Sequence, residues 1–249
     1  MWELYDILIE GIPPEARVDE AFEGPHWTMV RSGKGLGLAM TLVKSPEDET
    51  RPRILSPNLA GMALQELAQV AKSWNFGEAS LGIAAINAWY NSPDQDTVKK
   101  CLQKPDMNAF DAWKERARGK KVTVIGHFPH LERTLAPLCE LSILEKRPQK
   151  GDYPDSACEF LLPYQDFVFA TGVTLINKTL LRLLELSRHC GLILVGPSVP
   201  LAPVLFGFGI LDLQGFAVSD PELCAAVVRG ENNTAGIFDA GKRVGLGKE

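Results

Sequence analysis

Apolar residues follow two different rhythms along the chain, and the change falls near Gly119. Before it, Leu4, Ile7 and Leu8 share one face of a helix that Gly11 and the Pro13-Pro14 pair terminate, because proline cannot donate the next helical hydrogen bond. Runs at Val18–Glu23, Trp27–Arg31 and Leu36–Val43, parted by Gly/Pro turns, predict a meander of short strands. The last of these, GLGLAMTLV, has small residues where another backbone can come close. SPNLAGMALQELAQVAKSW predicts a helix entered from a Ser-Pro-Asn turn, with Leu64, Leu67, Ala68 and Ala71 at helical spacing. GEASLGIAAINAWYN predicts another helix, buried around much of its circumference. A strand meander under a helical layer is an α+β unit, expected over residues 1–92. Residues 93–119 predict a polar helical connector, docked through Phe110 and Trp113.

After the connector, strands that are apolar on both faces alternate with helices. VTVIG, LSILE, DFVFATG and GLILVGP are such strands, and DLQGFAV is a weaker one. HLERTLAPLCE, NKTLLRLLELSRHC, LAPVLFGFGI and PELCAAVVRG lie between or after them as helical stretches, the third short. Strands without a polar face need cover on both sides, so residues 120–249 predict a parallel, doubly wound, Rossmann-like α/β sheet. The final GIFDAGKRVGLGKE has no clear period, and its end is expected to be mobile.

Composition narrows the function classes. A net charge of −5 with both signs interspersed carries no nucleic-acid footprint. No apolar run reaches membrane-spanning length, and the acidic, amphipathic start is unlike a signal peptide. Cysteines 101, 139, 158, 190 and 224 are scattered, without a CxxC pair, which favours reduced thiols in the cytoplasm over disulfides or a zinc knuckle.

Parallel sheets bind ligands beyond their strands' carboxyl ends, where adjacent loops diverge. The turn in KKVTVIGHFPHLERT follows such a strand with Gly126, His127, Phe128 and Pro129. It lacks the glycines of a dinucleotide fingerprint, so NAD and FAD are poor candidates. Glu145, 19 residues after Gly126, stands where an acid holds ribose hydroxyls, which permits a nucleoside like S-adenosylmethionine. It reads equally as a solvated strand-end glutamate. Thr171, Gly172, Thr174 and Asn177 make a turn into an apolar helix, suited to an anion or simply to a cap. Gly196, Pro197 and Ser198 begin a rigid proline-rich wall without the GxSxG elbow of a serine hydrolase. His127 is the candidate acid/base; His127-x-x-His130 without further ligands does not make an intrinsic metal site.

IGHFPHL, TGVTLINKTL and GPSVPLAPVLFGFGI together resemble the DUF364 family, and GEASLGIAAINAWYN with the preceding meander resembles the DUF4213 domain that goes before it. The resemblance implies an enolase-N-terminal-like unit ahead of a Rossmann-like one, with an active site between them. It also implies a role in heavy-metal chelation, or in making or hydrolysing chelator-, pterin- or flavin-like molecules. Asn87 would reach that cleft from the first unit; as a buried polar residue it could equally be satisfied by a nearby backbone group.

Two functions are therefore expected to compete. One is an enzyme acting on a small polar or heteroaromatic molecule, with His127 as acid/base. The other is a non-catalytic carrier of a metal–chelate or its organic ligand. A homodimer through Trp2, Leu4 and Ile7 competes with burial of that helix on the chain's own second half.

Overall fold

A computed structural model describes residues 2–43, 51–56 and 58–248. The first sheet is an antiparallel meander of β1 (Glu20–Glu23), β2 (Trp27–Ser32) and β3 (Gly35–Met40). Helix α3 (Phe76–Tyr90) lies across it, capped by Asn75, whose side chain accepts from the amides of Gly77 and Glu78. The glycines of β3 explain how close the layers come. A Cβ on Gly37 would stand 2.1 Å from the Ala84 carbonyl oxygen, so only glycine admits α3 here.

Helix α1 (Glu3–Glu10) forms as expected, but its buried stripe is Leu4, Tyr5, Leu8 and Ile9. That stripe is centred between two adjacent rows, so Ile7 falls on its flank and is 36% exposed. Helix α2 (Leu64–Gln69) starts later than the Ser-Pro-Asn turn, of which Pro57 lies outside the described residues. Its approach is extended because Ala63 bridges Arg17 and the Leu64 amide donates to the Ala16 carbonyl.

The connector carries α4 (Asp96–Leu102) and α5 (Ala109–Ala117), and Asn108 caps the latter by accepting from the Phe110 amide. Phe110 and Trp113 dock α5 on the second sheet against Val124, Phe169 and Ile193. That sheet contains β4 (Lys121–Ile125), β5 (Glu140–Glu145), β6 (Tyr153–Pro154), β7 (Phe167–Thr171), β8 (Gly191–Val195), β9 (Ile210–Val218) and β10 (Gly241–Gly247). Its order is β10-β9-β8-β7-β4-β5-β6. Strands β4 to β9 pair in parallel, in the doubly wound order, with the reversal between β4 and β7.

Several local expectations need correction. The aperiodic tail is β10, an antiparallel edge strand paired with β9 from Gly241 to Gly247. Its glycines hide the alternation: Gly241 and Gly245 lie under the Phe216 and Gln214 side chains, where a Cβ would collide. The helix expected after His130 is only α6 (Leu131–Thr134), since Pro137 disfavours helix in the residue before it. The short two-residue β6 and the helix α7 (Cys158–Leu161) were not anticipated. The helix expected from Asn177 starts only at α9 (Leu180–Leu186), and an unanticipated short helix, α8 (Val173–Ile176), precedes it, the two parted by Lys178 in a left-handed conformation. LAPVLFGFGI holds a 3-10 turn at 203–208 and then begins β9. Helix α10 (Pro221–Arg229) is capped by Asp220 and closed by left-handed Gly230.

The two layers share one core, in which Leu8 and Ile83 join Leu175 and Leu205. Polar clamps cross the same boundary. The Tyr5 hydroxyl donates to the Leu175 carbonyl at 2.7 Å, and Asn91 bonds the backbones of Val199, Leu201 and Phe216. Asn91 sits fully inside an apolar helix end, where nothing in the sequence marks it as a clamp.

Candidate functional site

At the β4 and β7 ends, side chains are tied to one another. Gly126 takes a positive φ of 99°, and its α-carbon faces the Thr171 side chain. The His127 amide donates to Glu145 Oε2 at 3.0 Å, and Glu145 Oε1 accepts from Lys146 at 2.7 Å. Glu145 thus braces its own turn. The His127 ring lies between carboxylates: Nδ1 is 3.0 Å from both Asp152 oxygens, and Nε2 is 3.2 Å from Glu132 Oε1. The Asp152 side chain is almost wholly buried, whereas Glu132 is exposed and free to swing. Sequence reasoning missed both acids; Asp152 sits in a polar loop with no local signature.

Around β7, the Thr174 hydroxyl donates to the Thr171 carbonyl, and Thr171 Oγ1 accepts from the Val173 amide. Asn177 accepts from Thr179, closing the entrance to α9. Gly172 packs on Ser198 and Val199, where a Cβ would come within 2.9 Å of the Val199 amide nitrogen. The Ser198 hydroxyl oxygen accepts from the Met40 amide of the first sheet at 2.9 Å. Asn87 is fully buried and donates to the carbonyls of Leu38 and, more weakly, Pro197, while its Oδ1 has no hydrogen-bond partner among the described residues.

A cavity of about 270 Å³ opens beside these turns, at the end of β8 and over the middle of β9, under the start of α5. Phe128, Pro129 and His130 line it from the first turn, and Gly196 and Pro197 from the fourth. His127, Thr171 and Ser198 are not among its lining residues. Two edge-to-face phenylalanine pairs form walls, Phe110 with Phe128 at 5.2 Å and Phe216 with Phe238 at 5.4 Å between ring centres. Asn108, Gln214 and Arg243 supply polar edges. Arg243 is bound to Asp106 through Nε and one terminal nitrogen, an interaction that holds the Asp106 carboxyl below its ordinary range. The connector and the second sheet line this cavity, and the first layer backs it through the Asn87–Pro197 contact, the Asn91–Phe216 hydrogen bond and the packing of Leu36 and Leu38 with Phe216.

Comparison with known proteins agrees with this architecture. The sequence profile of the DUF364 family, described as "Putative heavy-metal chelation", matches residues 108–245. The chain belongs to the DUF364 family. The DUF4213 profile, with the same description, matches residues 5–90 of this DUF364 protein. A crystal structure of a DUF364 protein of unknown function from Desulfitobacterium hafniense is 45% identical, covering 100% of this chain and 99% of that one, with a TM-score of 0.89. Another, from Pyrococcus horikoshii, shares the fold at 23% identity and a TM-score of 0.80, over 98% of each chain. An uncharacterized protein of Methanocaldococcus jannaschii is 29% identical over 219 residues, 82% of this chain and 79% of its own.

The family description raises direct metal binding, and the donors present do not suit it. Among the described residues no group of three or more His, Cys, Asp or Glu side chains could hold a metal ion. All five cysteines are unpaired, and burial raises their thiol pKa values, that of Cys224 to about 12. Raised thiols resist the deprotonation that soft-metal binding requires. Nor is any helix among the described residues long and apolar enough to cross a membrane.

Proposed function

We propose that this DUF364 protein binds a small, planar, anionic organic molecule of the kind that chelates metal ions. The observation that carries this reading is the phenylalanine-walled cavity with a cationic rim. Flat rings pack favourably against offset and edge-on aromatic faces, and a guanidinium left with a free nitrogen attracts an oxyanion. A cavity near the small end of the usual ligand range suits a compact ring system. On this reading the metal arrives with its chelator, consistent with buried thiols whose raised pKa values dispose them poorly to hold it themselves. The two layers are read as enolase-N-terminal-like and Rossmann-like units, with the ligand held near their junction and the Asn87–Pro197 contact at its back.

One observation favours catalysis as a second reading. Asp152 holds His127 Nδ1, which leaves Nε2 as the working nitrogen once Glu132 swings aside. The substrate would then lie across Phe128 and Pro129, with one end in the cavity and the other at Nε2.

Native mass spectrometry of protein purified without chelators or metal-affinity steps tests the binding reading. The expected result is a retained small organic mass, with or without metal, that is lost from the Arg243→Glu variant. A retained metal without any organic mass would overturn it.

A further inference from the structure

The floor of the cavity has a fixed hydrogen-bonding polarity. Asp212 on β9 is buried, and its Oδ2 accepts from the Trp113 indole N–H at 2.7 Å. Indole nitrogen can only donate, so this oxygen is an acceptor. Gln214, two residues on and on the same strand face, approaches the same oxygen at 2.8 Å. It must therefore present its amide NH2, and its carbonyl Oε1 must point elsewhere. Oε1 accepts no hydrogen bond among the described residues and is not sealed from solvent, and Gln214 lines the cavity. Gly245 on β10 makes room for this arrangement, since a Cβ there would stand 2.5 Å from Gln214 Nε2.

Groups of the reverse polarity stand close by, since Arg243 pairs with Phe216 and so lies diagonal to Gln214 on the same face of the neighbouring strand. Asn108 uses its Oδ1 to cap α5, which leaves its NH2 as the free group. Arg243 keeps its remaining terminal nitrogen beyond the Asp106 pair. The cavity thus sets an acceptor, Gln214 Oε1, beside donors.

We propose that Gln214, oriented by Asp212 and Trp113, selects a planar heterocycle in which a ring N–H or amino group stands next to a carboxylate or similar oxyanion that faces Arg243. This assignment rests on the cavity being the ligand site. It adds a requirement that the cavity reading alone does not make: the ligand must donate to Gln214 Oε1. An analogue without that donor leaves a lone pair desolvated and unpaired, which costs about tenfold in affinity.

Indole-2-carboxylate and benzofuran-2-carboxylate form a matched pair of probes, alike in size and charge and differing in the ring N–H. Isothermal titration calorimetry on the full chain should show the indole binding about tenfold more tightly. In Gln214→Met, which keeps the volume and leaves the Trp113–Asp212 bond intact, that ratio should fall to within about twofold. The ratio should close mainly through a gain in benzofuran affinity, because methionine leaves no amide lone pair to be desolvated. Equal wild-type affinities, or a preference for the benzofuran, would overturn the Gln214 assignment and leave the cavity reading standing. Binding of neither probe at millimolar concentration would overturn both. The wild-type comparison needs no variant to fold.

Discussion

The crevice at the ends of β4 and β7 and the cavity at the end of β8 beside the middle of β9 are neighbours built from similar residue types, and they differ in what their polar groups do. In the first, Glu145, Thr171, Thr174 and Asn177 bond to their own or adjacent turns, and Ser198 is taken by the Met40 amide. In the second, Gln214, Asn108 and Arg243 each have one group engaged by the fold and another left over. Topology nominates the β4/β7 reversal as the ligand crevice. Packing of the first layer against the second fills much of it and moves the open volume along the sheet. The lesson is that strand order names a region, while the pairing of individual hydrogen-bonding groups says which part can accept a ligand.

Glycine substitutions give the sharpest test of the difference between the filled and open ends. Gly172→Ala would push a Cβ to 2.8 Å from the Ser198 carbonyl carbon, against backbone that cannot yield cheaply. It should destabilise by about 3 kcal/mol, read as a lowered urea midpoint with an unchanged slope. A cost below about 1 kcal/mol would mean the β7 end is not closed as described.

A smaller effect is expected from Lys178, which lies at the filled end and makes no ion pair with a carboxylate among the described residues. Its Nζ donates to the Ile176 carbonyl at 2.6 Å and lies 5.8 Å from the Tyr5 ring and 5.9 Å from the Phe76 ring. Burial brings its pKa down from 10.5 to about 7, against the pull of the carbonyl and ring faces. The unfolded chain then binds more protons than the native one between these values. Stability should accordingly rise with pH from about 7 towards 10.5, and the whole penalty should be present below pH 7. Lys178→Met should stabilise by about 2 kcal/mol at pH 6, less than the full shift implies because the amine is partly solvated, and the gain should vanish near pH 10. Urea titrations at pH 6, 8 and 10 check this; an unsloped wild-type profile would show the amine to be well solvated.

Gly196 is the counterpart at the open end. It has a φ of 110°, but a Cβ on it would meet nothing within 4 Å. Gly196→Ala should cost only the backbone strain, about 1–2 kcal/mol, so its midpoint should lie above that of Gly172→Ala. The reverse order would break the comparison.

Smallest is Arg243→Ala. Its pair with Asp106 is partly solvated on both sides, so stability should fall by under about 0.5 kcal/mol. Affinity for either carboxylate probe should nevertheless drop about tenfold or more through the lost charge-assisted contact. An unchanged affinity would remove the cationic rim from the binding reading.

How much of this was legible depends on how local each feature is. The parallel strands could be read because they are apolar on both faces, and α3 because it is apolar all round. β10 could not, because its glycines serve Gln214 and Phe216 on a partner strand. The turns with Phe128, Pro129, Gly196 and Pro197 were readable as punctuation after strands, and these residues line the cavity. Phe110 was visible only as a docking residue. Gln214 and Arg243 lie in segments whose strand character was weak or absent from the pattern.

By itself, the sequence determined the antiparallel strand meander, the parallel, doubly wound character of the second sheet and the absence of a glycine-rich phosphate turn. These follow from periodicity and composition over short windows, where local conformational preference and one-sided or two-sided burial act directly on the chain. Only the tertiary structure decided that Asp152 holds His127, that Asn91 joins the layers, and that Trp113 and Asp212 orient Gln214. Those pairings join residues far apart in the chain. Their directions are set by which donors and acceptors the packed core leaves without water, which no local pattern encodes.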